Sequence, residues 1–127
     1  MRRSWGRLLR RSEFLRVAGE GLRRNTPAFT LQAAAKNPSD ERRPSGFRLG
    51  LTVSRKVGNA VERNRAKRRL RAAADRVLNA ETREIDVVVI ARRAAITRDF
   101  EQLSADLRRT VDQAARDLAS AARRKPS

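Results

Sequence analysis

The run of branched aliphatic residues at 85–91 restricts the fold more than any other part of the sequence. Five of its seven residues are Val or Ile, and Asp86 is its only charged member. A short apolar run without alternation is typical of a β-strand that is buried on both faces. Neighbouring elements must therefore cover this strand.

Two further segments, 29–33 and 47–53, alternate apolar and polar residues as half-buried strands do. Between them, residues 36–46 are rich in turn-forming residues and predict an exposed loop. We expect the two strands to form a hairpin across that loop.

Three segments predict helices. The first covers 12–20, and the second covers 59–79, where Asn59 is the predicted N-cap and no Pro or Gly follows. The third covers 98–122, because its apolar residues recur at spacings of three and four.

The order helix-strand-strand-helix-strand-helix predicts an α+β fold, a small sandwich in which helices pack on one face of a sheet. The strands at 47–53 and 85–91 enclose a long helix, which favours a parallel strand-helix-strand unit. We expect a single domain over 1–127, with an ordered core at about 8–119 between a basic N-terminal arm and a C-terminal tail.

The net charge of the chain indicates the class of its binding partner. The 127 residues carry 31 Lys and Arg against 14 Asp and Glu, a net charge of +17. Such a surplus repels itself unless a polyanion neutralises it, and nucleic acid is the abundant intracellular polyanion. Nucleic-acid binding is therefore the leading class of function, and an anionic membrane surface is its main competitor.

The residue types exclude most catalytic chemistry. There is no Cys and no His, so disulfides, thiolate nucleophiles and the commonest general base are absent. The carboxylates show no cluster typical of a two-metal site. We predict no catalytic and no metal-ligating residue in the chain. The lack of cysteine and of a long apolar run favours a cytoplasmic protein with no membrane association and no obligate protein partner.

The densest feature is the basic segment, residues 54–71, which holds eight cations and one carboxylate, Glu62. A helix that is merely solvated usually interleaves both signs, because like charges four residues apart destabilise it. A membrane-bound helix needs bulky apolar anchors, whereas the apolar stripe here is mostly Ala. The basic segment therefore predicts a surface that binds phosphates.

Within this segment, KVGNAVERNRAKRRLR at 56–71 resembles the signature of the bacterial ribonuclease P protein subunit, including its RNR motif at 63–65. LGLTVS at 49–54 is similar to the strand before that helix, and DVVVIAR at 86–92 to the strand after it. The likeness runs in order over about 8–111.

The resemblance implies the accessory protein of an endoribonuclease that removes the 5′ leader of precursor tRNA. Its expected partners are the ribonuclease P RNA and precursor tRNA. The RNA performs the Mg²⁺-dependent hydrolysis, so Mg²⁺ would be bound mainly by the RNA. The family fold contains a left-handed strand-helix-strand crossover. Two alternatives to this function stay open. The first is another RNA-binding protein, of ribosomal or nucleoid type, and the second is a self-sufficient metal-dependent nuclease.

The basic segment and the resemblance together give the predicted site residues. The predicted RNA contacts are Arg55, Lys56, Asn59, Arg63, Asn64, Arg65, Lys67, Arg68 and Arg71. Candidates for a cleft that receives the leader, between the first helix and the sheet, are Phe14, Phe29 and Arg16. Ala18 and Gln32 stand where the family commonly has aromatic residues. The sequence leaves two roles open for Trp5, namely stacking on a base and packing over the first helix.

Overall fold

The structure, a computed structural model, describes residues 5–36 and 46–124. Its three helices lie where the sequence predicts them, to within a few residues. In chain order the strands and long helices are β1 (Gly6–Arg7), α1 (Arg11–Glu20), β2 (Leu22–Asn25), β3 (Phe29–Ala35), β4 (Arg48–Thr52), α2 (Ala60–Val77), β5 (Ile85–Ala91) and α3 (Phe100–Arg124). Short 3-10 helices span Arg55–Val57 and Arg93–Ile96.

The five strands form one sheet in the order β1-β4-β5-β3-β2. β4 and β5 pair in parallel on either side of the α2 connection, as predicted. The predicted hairpin is wrong, because β5 lies between β3 and β4 and pairs antiparallel with β3 over seven residues. Most of the predicted loop, 37–45, lies outside the described residues. The handedness of the crossover stays a prediction.

The helices pack on both faces of the sheet, not on one as predicted. α2 and α3 cover the face that carries Phe29, Leu49 and Val87, and this side holds most of the apolar core. α1 covers part of the opposite face, where a smaller cluster forms around Val17 and Val88. β5 is therefore buried on both sides, which confirms the interpretation of its apolar run.

The N-terminal residues differ from the expected basic arm. Trp5 is only 6% exposed and belongs to the core on the α2 and α3 face, so neither expectation for its ring is correct. Gly6 and Arg7 pair in parallel with Arg48 and Leu49 at the edge of the sheet. Residues 5–7 are thus packed against the rest of the fold, whereas the sequence predicts an ordered core from about residue 8.

A buried network of charges attaches α1 to the sheet. Arg48 and Asp86 are neighbours across β4 and β5, and two nitrogens of Arg48 donate to the two carboxylate oxygens of Asp86 at 2.9 Å each. From α1, Glu13 accepts from Arg48 and Arg16 donates to Asp86. Burial lowers the pKa of Arg48, but hydrogen bonds and the charge of Asp86 raise it overall, so the guanidinium stays charged.

A second network joins α3 to the turn before β5. Glu81 accepts from Arg83 at 2.7 Å and from Arg108 at 2.9 Å, and both arginines also bind Asp112. Burial raises the pKa of Glu81, but the side-chain and backbone hydrogen bonds from Arg83 and those from Arg108 bring it down to about 2.

The depressed pKa of Glu81 predicts an acid-sensitive contribution to stability. A carboxylate whose pKa falls from 4.5 to about 2 on folding stabilises the protein above pH 4.5 and loses that effect as the pH drops towards 2. At most the contribution is roughly 3 kcal/mol. Urea unfolding at pH 7, 5 and 3 measures it. We expect Glu81→Gln to be less stable at pH 7 and to lose less stability on acidification; equal losses in both proteins would refute the assignment.

Candidate nucleic-acid interface

The start of α2 is fixed by a reciprocal cap. Asn59 Oδ1 accepts from the backbone N–H of Glu62 at 2.9 Å, and Glu62 Oε1 accepts from the backbone N–H of Asn59 at 3.0 Å. This capping box satisfies two of the donors that a helix N-terminus leaves unpaired. Asn59, predicted as an RNA contact, is thus an exposed residue whose side chain acts as the N-cap.

Arg93 ties this cap to the segment after β5. Its guanidinium donates to Glu62 Oε2 at 2.9 Å and to the carbonyl oxygen of Val57 at 2.6 Å. The backbone hydrogen bond at Asn59 and the hydrogen bond from Arg93 lower the pKa of Glu62. The one carboxylate of the basic segment is therefore engaged with the cap and Arg93.

Gly58 is required by this arrangement. Its φ is +153°, and a Cβ there would lie 2.5 Å from Glu62 Oε1. Gly58→Ala is therefore expected to displace the Glu62 carboxylate and to lower the free energy of unfolding by about 1–3 kcal/mol. Urea denaturation tests this, with Gly19→Ala as the control, because a Cβ at Gly19 of α1 meets nothing within 4 Å. Equal effects of the two substitutions would contradict the role of Gly58.

α2 buries a stripe of small and aliphatic residues against the sheet and α3, namely Ala66, Leu70, Ala73 and Ala74. On one flank its arginines bond within the protein. Arg69 donates to the carbonyl oxygens of Ala95, at 2.7 Å, and of Arg98, and Arg76 pairs with Glu101 at 2.7 Å. These cations bind α2 to the start of α3 and serve the fold.

The rest of the helix carries the α2 cation surface, which we define as Arg63, Asn64, Arg65, Lys67, Arg68 and Arg71. Within residues 5–36 and 46–124, none of these six side chains has a hydrogen bond or an ion pair. Asn64, Arg65 and Arg68 are exposed, whereas Arg63, Lys67 and Arg71 are half-buried. The structure thus brings six of the predicted RNA contacts together, and Arg55 and Lys56 are exposed on the 3-10 helix just before them.

The half-buried cations face the edge of the sheet. Arg63, Asn64 and Lys67 line a groove with Leu51 and Val53 at the end of β4. Further along α2, Lys67 and Arg71 share a small pocket with Trp5 and Arg7. Arg7 is not among the predicted site residues. Its one signal in the sequence is its position in a basic N-terminal run, and nothing in the sequence shows that β1 lies beside α2.

A second depression, the α1 groove, lies between α1 and the sheet. Its lining residues are Leu9, Arg11, Phe14, Leu15, Ala18, Gln32, Leu51, Thr52, Val88 and Ile90. Leu9 and Leu15 stand at its rim with exposed fractions of 73% and 58%. The groove is therefore mostly apolar, and Arg11 is the only charged side chain among the described residues that line it.

Phe14 lies in this groove as predicted, over Gly50. A Cβ on Gly50 would come within 2.7 Å of the Phe14 ring and 3.2 Å of Leu8 Cβ. The ring can therefore approach the strand only because residue 50 is glycine. The sequence missed Leu9, just before α1, and Leu15 of α1 as lining residues, because the pattern alone does not show which apolar side chains stay uncovered.

The other two cleft predictions are wrong. Phe29 is completely buried and projects to the opposite face of the sheet, into the core under α2 and α3. Arg16 is turned away from the groove, since residues 14 and 16 of a helix lie about 200° apart. Its guanidinium is bound to Asp86, to Glu20 and to the carbonyl oxygen of Ala35.

The two surfaces meet at the edge of the sheet. Leu51 lines both the α1 groove and the groove beside Arg63 and Lys67. β1 pairs only with Arg48 and Leu49, so it leaves the second half of β4 uncovered. An extended ligand bound in the α1 groove would therefore pass directly beside the α2 cation surface.

Over residues 5–36 and 46–124, no group of three acidic side chains is arranged to hold a metal ion. In the same part of the chain, no helix combines the length and apolar composition needed to cross a bilayer.

Comparison with known proteins gives one consistent family. A family model described as Ribonuclease P matches residues 3–115. The ribonuclease P protein component of Gluconacetobacter diazotrophicus is 44% identical over 110 residues, which cover 85% of this chain and 90% of that protein. The same component of Halalkalibacterium halodurans is 39% identical over 101 residues, covering 80% and 81%.

Solved structures agree with these sequence matches. A Staphylococcus aureus RNase P protein mutant with defective mRNA degradation activity superimposes with a TM-score of 0.69 at 30% identity, over 85% of this chain and 86% of that one. The RNase P protein from Thermotoga maritima gives a TM-score of 0.66 at 27% identity, over 87% and 96%.

Proposed function

Since the chain belongs to the ribonuclease P protein family and is thus the accessory subunit of a tRNA-processing endoribonuclease, we propose how it holds its two RNAs. The α2 cation surface binds the ribonuclease P RNA. The α1 groove binds the 5′ leader of precursor tRNA. Both RNAs then lie along one edge of the sheet.

The observation that carries this proposal is the set of unpaired cations beside an open, apolar groove. Elsewhere in the described chain many arginines are neutralised by carboxylates, as in the Glu81 network and in the Arg76–Glu101 pair. The cations of the α2 cation surface have no such partners within residues 5–36 and 46–124, so their charge is available to phosphates. The groove instead offers aliphatic side chains and the ring of Phe14, which suit unpaired bases.

The physical role that follows is electrostatic screening. Catalytic RNA and precursor tRNA repel each other, and cations on the shared edge lower that repulsion. The holoenzyme would then need less Mg²⁺, and we assign the catalytic Mg²⁺ mainly to the RNA. The absence of cysteine and the nature of the substrate support a cytoplasmic location. That the chain needs no further protein partner stays a prediction.

The direct test is cleavage of a precursor tRNA by bacterial ribonuclease P RNA at a Mg²⁺ concentration too low for the RNA alone. We expect cleavage only when both RNA and protein are present, and none with the protein alone. No rescue by a protein that binds the RNA tightly would favour the ribosomal or nucleoid alternative. Cleavage by the RNA-free protein would favour the self-sufficient nuclease.

The assignment of the leader to the α1 groove has its own test. The ratio of affinities for precursor tRNA and leaderless tRNA isolates the leader contribution in the assembled holoenzyme. Phe14→Ala is expected to reduce this ratio, whereas Phe100→Ala is not, because Phe100 is a half-buried aromatic on α3 that does not line the groove. An equal reduction by both variants would contradict the assignment.

A further inference from the structure

Glu62 is the one carboxylate of the basic segment, residues 54–71, and it lies in the first turn of the helix that carries the α2 cation surface. Arg63 follows it directly, and Arg65 lies three residues further along the helix. Side chains three residues apart are neighbours on a helix, so the carboxylate stands beside cations that we assign to RNA phosphates. A negative charge at this place works against RNA binding.

A free Glu62 carboxylate would weaken the surface in two ways. It would repel phosphates, and it would compete for Arg65, because an acidic residue followed by a basic one at this spacing forms a favourable helix pair. The structure shows Glu62 engaged elsewhere. Its Oε1 accepts from the backbone N–H of Asn59 at 3.0 Å, and its Oε2 accepts from the guanidinium of Arg93 at 2.9 Å. Both carboxylate oxygens therefore have partners other than Arg65.

Arg93 is held in place from two sides. Its guanidinium also donates to the carbonyl oxygen of Val57 at 2.6 Å, and its backbone begins the 3-10 helix that follows β5. That 3-10 helix is itself bound to α2, because Arg69 donates to the carbonyl oxygen of Ala95 at 2.7 Å. An isolated surface ion pair must order two long side chains for one contact, which cancels much of its benefit. The extra contacts of Arg93 reduce that cost.

We propose that Arg93 is a positioning residue for RNA binding, which masks the charge of Glu62 and leaves Arg65 available to phosphates. This inference rests on the proposed function of the α2 cation surface. Arg93 acts through Glu62 and not by touching the RNA. The segment after β5, which the basic segment does not include, thereby contributes to the affinity of the surface.

A substitution at Glu62 can remove its charge without removing the helix cap. Glutamine is, like glutamate, a capping-box residue at this position, since its amide oxygen can accept from the backbone N–H of Asn59. Glu62→Gln therefore keeps the beginning of α2 and eliminates the carboxylate that Arg93 neutralises. In this background the proposed role of Arg93 disappears.

A double-mutant cycle on binding to bacterial ribonuclease P RNA tests the proposal. Filter binding gives the affinity of the wild type, Arg93→Met, Glu62→Gln and the double variant. We expect Arg93→Met to lower affinity by about 3- to 10-fold and Glu62→Gln to lower it not at all. In the Glu62→Gln background, Arg93→Met should cost less than about twofold. Arg93→Lys keeps a cation beside Glu62 and should retain most of the affinity.

Arg92→Met is the matched control. Arg92 is the exposed neighbour of Arg93, and its guanidinium instead lies 3.5 Å from the carbonyl oxygen of Thr26, in the turn between β2 and β3. The substitution removes the same charge from the same short segment without releasing Glu62. We expect it to change the affinity for the RNA by less than about twofold.

Three results would overturn the role of Arg93. The first is an equal loss after Arg93→Met with Glu62 and with Glu62→Gln, which would mean that Arg93 contacts the RNA itself. The second is an equal loss after Arg92→Met and Arg93→Met, which would mean that only net charge matters. The third is a loss of affinity that follows the free energy of unfolding across the four proteins of the cycle, measured by urea denaturation. Failure of the wild type to bind the RNA would instead refute the proposed function, and the role of Arg93 with it.

Discussion

Replacing Arg63, Arg65 and Lys67 together by Ala is expected to weaken binding of the ribonuclease P RNA by about 100-fold at physiological salt. The three side chains have no partner in the described chain, so the substitutions remove binding groups for RNA without disturbing the fold. The slope of log affinity against log salt should also become shallower, by about 0.7–0.9 for each phosphate that the protein no longer neutralises. Filter binding over a series of salt concentrations measures both quantities.

A matched variant separates this surface from the effect of net charge. Arg23, Arg116 and Arg123 are exposed on β2 and α3, away from the edge formed by β1 and β4. Their replacement by Ala removes the same three charges from a protein of net charge +17. We expect a loss of less than about tenfold for this control. Equal losses of affinity in the two variants would mean that RNA binding depends only on the net charge of the protein.

Replacing Arg48 by Met is expected to lower the free energy of unfolding by about 3–5 kcal/mol. Asp86 is fully buried and receives two hydrogen bonds from Arg48, so the substitution leaves a buried carboxylate with weaker compensation. Glu13 is also released from β4, which loosens α1. Urea denaturation at pH 7 measures the change.

The control for this effect is the same substitution in an exposed ion pair. Arg76 and Glu101 pair at 2.7 Å, with side chains 48% and 70% exposed. Arg76→Met should cost less than about 1 kcal/mol, because solvent screens an exposed pair. In addition, Arg48→Met combined with Asp86→Leu should cost less than the sum of the single changes, since removing both charges leaves no uncompensated one. Strict additivity would contradict the network.

The helix that carries the cation surface was predictable from local features. Asn59 marks its beginning, no Pro or Gly interrupts it, and the stripe through Ala66 and Leu70 shows which side is buried. Once that side is known, the remaining cations must face outward or sideways. What the sequence could not show is which cations are used internally, because the partners of Arg69 lie 26 and 29 residues away.

The sheet order and the groove were much less predictable. Alternation identifies the strands at Phe29 and Phe47, but it does not say which strand lies beside which. Alternation also does not show which face of a strand is covered by helices. The sequence therefore predicts Phe29 in the groove, whereas Phe29 is buried on the other face and Gln32 is among the lining residues. Similarly, the sequence shows Asp86 only as a charge within an apolar run, because its partners Arg48 and Arg16 lie 38 and 70 residues away.

Site-specific photo-crosslinking in the assembled holoenzyme tests the two-surface account most directly. A crosslinker at Ala18, an exposed residue of the α1 groove, is compared with one at Arg68, an exposed residue of the α2 cation surface. The account predicts that position 18 reacts with the 5′ leader and that position 68 reacts with the ribonuclease P RNA. Reaction of position 18 with the ribonuclease P RNA alone, or of position 68 with the leader alone, would contradict it.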